Sequence, residues 1–196
     1  FIKPGAAFEV EAGRAMLPKL KEVIGFCRNA GIAVIYTTHV HRADGCDKGR
    51  FADIYPPIAE GSGLVDGTDG IEIYGEIAPR PGEVIIKKHR YSAFFGTDLD
   101  IILRGLGTDT VIVTGVTTEN CCHATARDAM FNGYRTAFLS DCTATFDYPD
   151  LGYGALSADE LHRTTLIALA FSTAHVMTAD ACMAKVTGAK GEVAAE

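Results

Sequence analysis

The sequence predicts a Rossmann-like three-layer αβα sandwich with a mostly parallel sheet, and three observations carry that expectation. Short β-branched runs at Ile32 to Thr37, Val84 to Ile86, Thr110 to Thr114 and Thr136 to Ser140 alternate with segments of helical periodicity. Glycines close two of the helical segments, at Gly31 and Gly107. The 196 residues are enough for one domain, residues 1–196, with a core that needs no staples. Strand-helix-strand alternation of this kind places parallel strands in a sheet with helices packed on both faces.

Each element follows from its own pattern. Met16, Leu20, Val23, Ile24 and Cys27 mark the buried stripe of a first helix, and the β-branched run after Gly31 reads as a strand. Val84-Ile85-Ile86 follows the turn signal Pro81-Gly82. Thr97 opens a helix whose inner face is Leu99, Ile102, Leu103 and Leu106. A helix from about Glu119 to Asn132 separates the strands at Thr110 and Thr136. Ser157 and Glu160 form a capping box ahead of a helix carrying Leu166, Leu169 and Ala170, and His175 to Thr178 can form a last short strand. The stretch from about His39 to Glu83 is rich in Gly, Pro and Asp and reads as a long irregular loop, a type of segment often used as a lid or interface.

Composition removes several classes of function. With 47% hydrophobic residues and no apolar stretch long enough to span a bilayer, a membrane role is not expected. A formal net charge of -7 without a basic cluster argues against nucleic acid as a partner. Six cysteines lie scattered with no paired spacing, which suits a reducing, cytoplasmic setting. Sheets of this kind bind ligands beyond the carboxyl ends of their strands.

The most informative stretch runs from Val111 through Gly115-Val116-Thr117-Thr118-Glu119-Asn120-Cys121 to Ala129. A strand turns at Gly115 and delivers Cys121 to the start of a helix, where free N–H groups and the helix dipole favour a thiolate and can receive an oxyanion. By itself, a cysteine in that position fits a small buried residue as well. Lys87 and Lys88 end the preceding strand, and alternation sends their side chains to opposite faces.

Gly-Val-Thr-Thr-Glu-Asn-Cys, followed by Thr-Ala-Arg-Asp-Ala and Gly133-Tyr134, resembles the nucleophile motif of the isochorismatase-like cysteine hydrolases. Upstream, Lys88-His89-Arg90-Tyr91-Ser92-Ala93-Phe94-Phe95 is similar to the lysine motif of the same family, and the resemblance extends over nearly the whole chain. It implies that Cys121 is the nucleophile and Lys88 its electrostatic partner. The backbone N–H groups of Thr117 and Cys121 would form the oxyanion hole, with a cis peptide at Val116-Thr117.

The resemblance further implies an amidohydrolase that works through a thioester without an organic cofactor. Tyr91 and the Thr117-Thr118 pair are closer to members acting on carbamoyl or ureide compounds than to nicotinamidases. Phe1, Arg90, Tyr91, Thr118 and His41 are the candidate substrate-binding residues, with Arg90, His41 or Arg42 available for a carboxylate or carbonyl. A homodimer or homotetramer with a small amide substrate is the expected assembly.

The family's third catalytic member is an aspartate on its first strand. Phe1-Ile2-Lys3-Pro4-Gly5 resembles the continuation of that motif, so the strand and the aspartate are expected ahead of Phe1. Some members bind a metal after the next strand, where this chain reads Thr37-Thr38-His39-Val40-His41. Threonine stands where the metal-binding aspartate would be, and no metal site is expected.

Overall fold

Leu20, Val23, Ile24 and Cys27 are buried along one side of the helix Leu17–Ala30 (α2), which follows a single helical turn at Ala12–Ala15 (α1). Gly31 ends α2 at φ 71°, a left-handed conformation that glycine adopts without a Cβ clash. The N–H of Ile32 then bonds back to the carbonyl of Cys27 at 2.8 Å. That bond holds Ile32 in the cap, so the first strand begins later than its β-branched run suggests. The computed structural model describes residues 1–193.

The strands are Ile35–His39 (β1), Val84–Lys88 (β2), Thr110–Val116 (β3), Arg135–Ala144 (β4) and His175–Met177 (β5). Between β1 and β2 the chain is less irregular than its composition suggests. Phe51–Ile54 (α3) and Pro56–Glu60 (α4) are short helices, followed by 3-10 turns at Asp69–Ile71 and Gly75–Ile77. The remaining helices are Leu99–Gly105 (α5), His123–Phe131 (α6), Ala158–Ser172 (α7) and Ala179–Val193 (α8). Ser157 and Glu160 close a reciprocal capping box at the start of α7.

Phe138 and Leu139 are neighbours on β4, and both are fully buried. Successive strand residues point to opposite faces, so each enters a different core. Leu139 joins α2 and α8 on one face, with Val23, Ile24, Cys142 and Ala179. Phe138 joins Val113, Cys122, Ala126 and Leu169 on the other, where α6 and α7 lie. A third cluster on that face packs Leu99 and Leu103 of α5 against Ile86. This is the αβα sandwich the alternation predicts.

Every ladder is parallel, but the strands form two sheets rather than one. β1 pairs with β2, from Ile35 opposite Val84 to His39 opposite Lys88, and β3, β4 and β5 form the other sheet in that order. The facing edges of β1 and β3 have no strand partner among the described residues. Between them runs a slot of about 830 Å³, lined by both strands, by Leu20, Val23 and Ile24 on one side and by Leu99 and Leu103 on the other. Lys88 and Cys121 also line it. No described helix is long and apolar enough to cross a membrane.

Candidate active site

The last two residues of β2 part as strand alternation requires. Lys87 turns outward and pairs with Asp66 at 2.7 Å, while Lys88 turns inward and is 3% exposed. The Lys88 ammonium donates to the Cys121 thiol at 3.3 Å and to the carbonyl of Arg90 at 2.9 Å. A lysine this deep has to be engaged, because an unpaired buried ammonium is strongly disfavoured. The two residues singled out by the paired motifs therefore meet in space.

Cys121 arrives by an irregular route. The register of β3 on β4 shifts between Val113 and Gly115, and Gly115 takes φ 115°. The Val116-Thr117 bond is cis, the form the family resemblance implies. Thr118–Cys122 then forms a π turn, closed by the Cys122 N–H on the Thr117 carbonyl at 3.1 Å, before α6 starts at His123. Sequence periodicity places Cys121 in the first turn of a regular helix. The wider turn, a local form frequent at functional sites, is what the structure has instead.

The two adjacent cysteines have different surroundings. Cys122 is buried against Val113, Ala126 and Phe138, its Sγ lies 3.6 Å from the Thr114 carbonyl, and burial pushes its thiol well above the ordinary range. It is a packing residue. Cys121 is partly open and holds the Lys88 contact.

Several expected contacts go elsewhere. Thr118 is fully buried, and its hydroxyl lies 2.9 Å from Nδ1 of His162, whose Nε2 lies 3.0 Å from the Ser140 carbonyl. A carbonyl only accepts, so Nε2 carries the proton and Thr118 donates to Nδ1. Its hydroxyl thus anchors the π turn that carries Cys121 to α7 and is not free for a substrate. His41 is 0% exposed, with Asp47 3.6 Å from its Nδ1, so it is closed to a ligand. Arg90 lies over the Phe51 ring and donates to the carbonyls of Asp47 and His89, which makes it an anchor for the long loop. Arg42 is exposed beside Asp44.

Tyr91 and Phe1 belong to aromatic clusters. The Tyr91 hydroxyl bonds that of Tyr55 at 2.6 Å. Burial, then that bond, raises its phenol above the ordinary range. Phe51 lies 4.9 Å from the Tyr91 ring, and His39 lies 6.3 Å from it on the other strand end. Phe1 lines the slot and packs on Phe8.

Sequence reasoning missed several supporting residues. Glu119 accepts from Tyr148 and Asn120, both at 2.9 Å, while its Oε2 is buried with no hydrogen-bond partner. Thr125 of α6 accepts the Ala93 N–H at 3.0 Å, tying the nucleophile element to the segment after Lys88. His162, Tyr148 and Tyr55 come from distant parts of the chain and carried no local signal. Among the described residues no group of three or more His, Cys, Asp or Glu side chains is arranged to hold a metal.

A partly open thiol bonded to a buried ammonium, both at the carboxyl ends of parallel strands, is an arrangement suited to a cysteine-dependent hydrolase. The sequence matches the isochorismatase domain over residues 1–181, and the chain belongs to the isochorismatase family. It is 35% identical over 170 residues to nicotinamidase 3 of Arabidopsis thaliana, covering 85% of this chain and 77% of that protein. It is 31% identical over 150 residues to a ureidoacrylate amidohydrolase of Pantoea ananatis, covering 70% of this chain and 60% of that protein. A cysteine hydrolase from Pseudomonas syringae pv. phaseolicola superposes with a TM-score of 0.92 at 35% identity, covering 96% of this chain and 88% of that one.

Proposed function

We propose that this protein hydrolyses the C–N bond of a small amide or ureide through a thioester on Cys121. The observation that carries this reading is the 3.3 Å contact between Lys88 Nζ and Cys121 Sγ in a site where Lys88 is almost fully buried. The ammonium favours thiolate over thiol, and the N–H groups of the nucleophile turn add to that field. Amidohydrolases among the family relatives support the same reaction class.

In the first half-reaction the thiolate adds to the amide carbonyl, and the oxyanion is received by the backbone N–H groups of Thr117 and Cys121. The C–N bond then breaks, with a proton delivered to the departing nitrogen so that ammonia or an amine leaves. In the second, water adds to the thioester, the C–S bond breaks, and the acid departs as the thiolate is restored. The proton carrier in this reading is a carboxylate beside Lys88, a buried cation suited to such a neighbour.

An ammonia-release screen over ureides, carbamoyl amino acid derivatives and nicotinamide tests the reading. At least one should release ammonia with the parent chain and none with Cys121→Ala, which should keep its circular dichroism spectrum because the residue is not part of a packed core. Undiminished release by the variant would remove Cys121 from the mechanism.

A further inference from the structure

Three groups suited by type to a carboxylate are not among the residues that line the cavity holding Cys121: Arg90 is held by two backbone carbonyls, Arg42 is exposed beside Asp44, and His41 is buried beside Asp47. Lys88 is already engaged by Cys121 and the Arg90 carbonyl. Among the described residues it is the one cation that hydrogen-bonds the thiol.

His39 is the opposite case. It ends β1 directly opposite Lys88, lines the same cavity as Cys121 and is 5% exposed. The backbone of His89 is a hydrogen-bond partner of its ring, while Nε2 is buried with no partner. A peptide carbonyl takes the ring's single proton through Nδ1, and Nε2 is left as a bare lone pair. Burial, reinforced by the charge of Lys88, holds the ring neutral, with its pKa brought down to about 3. The edges of Phe51 and Tyr91 pack beside it. Glu119 Oε2 and both ring nitrogens of His41 are also buried without a hydrogen-bond partner, but of these residues and His39 only His39 lines the cavity that holds Cys121.

A buried acceptor left unpaired is unfavourable, so a ligand N–H that reaches it is bound, and a ligand oxygen anion set there is repelled. We propose that the site selects uncharged, planar amides rich in N–H groups, ureides without a carboxylate, and that His39 Nε2 accepts from a substrate N–H. This rests on the amide-hydrolase reading above and adds the substrate class and a specificity-determining residue to it.

The test compares two carbamoyl compounds that differ at one group: N-carbamoylglycine, which carries a carboxylate, and N-carbamoylglycinamide, which is neutral. The parent chain should favour the neutral compound by at least about 100-fold in kcat/KM, the kind of ratio expected when a site built for hydrogen bonding is mismatched. His39→Leu should raise KM for the neutral compound by roughly tenfold or more, with a smaller change in kcat, and His39→Gln, which restores an acceptor, should recover most of it. Equal turnover of the two compounds by the parent overturns this inference while leaving the amide-hydrolase reading intact. So does an unchanged KM in folded His39→Leu. If neither these compounds nor any other neutral amide releases ammonia, and Cys121 resists alkylation, both readings fail together. Because the parent comparison needs no variant, the outcome does not depend on His39→Leu folding.

Discussion

Replacing Lys88 by Met keeps the length of the side chain and removes the charge. At 3.3 Å and an effective dielectric of about 20, attraction between ammonium and thiolate is about 5 kcal/mol. Withdrawing the ammonium from water offsets on the order of half of this, leaving ~2.5 kcal/mol, or somewhat under a hundredfold in rate. Lys88→Met should therefore lose about that factor in kcat/KM, and iodoacetamide should alkylate Cys121 correspondingly more slowly at pH 7. Lys87→Met is the control. Its side chain is 55% exposed and its partner Asp66 is 45% exposed, so their ion pair is screened by solvent and activity should stay within about twofold. Equal losses from the two variants, or alkylation of folded Lys88→Met at the parental rate, would refute the assignment of Lys88 as the thiolate's partner.

Thr125→Val leaves the Ala93 N–H without its acceptor and should destabilise by about 1–3 kcal/mol in urea unfolding, with Thr125→Ser close to the parent. His162→Leu removes the partner of Thr118, and kcat should fall more than KM rises, with His162→Gln intermediate; a parental kcat would show that the nucleophile turn holds without α7. Stability should also fall in mild acid. His39 has a folded pKa of about 3 against an ordinary 6.5, so below pH 6.5 the unfolded chain takes up a proton that the folded chain refuses. The slope from this residue is up to about 1.4 kcal/mol per pH unit, developing as pH falls from 6.5 toward 3. Urea midpoints at pH 7.5 and 5 should differ less in His39→Gln than in the parent, and equal differences would show that His39 is not the group responsible.

The helices and the parallel strands were legible because local signals encode them, whereas the Lys88–Cys121 pair was legible only through the two motifs that resemble the family's. A stripe at helical spacing identifies α2, the capping box marks the start of α7, and strand alternation separates Lys87 from Lys88. What stayed hidden depends on contacts between distant segments. Nothing local shows that Arg90 bends onto Phe51 or that His162 reaches across to Thr118, since each is settled by a partner dozens of residues away. The π turn was hidden for another reason. Its residues have ordinary helical preferences, and the irregularity is imposed by the bulge at Gly115 and the route the chain takes from β3.

The division of the sheet bears directly on the site. Lys88 belongs to the two-stranded half, while Cys121 hangs from the end of the three-stranded half, so their 3.3 Å contact spans the slot. Ala93 and Thr125 make a second connection across the same divide. The walls are apolar where α2 and α5 line them, and His39, Lys88 and Cys121 line the same slot. An extended segment lying in the slot would pair with two unpaired strand edges, cover that apolar wall and finish beside the thiol. Occupation of the slot would thus fix the distance between the two halves, and with it the distance between ammonium and thiol. The packing of the sheet and the separation of ammonium from thiol are one problem, because Lys88 and Cys121 stand on opposite banks of the same gap.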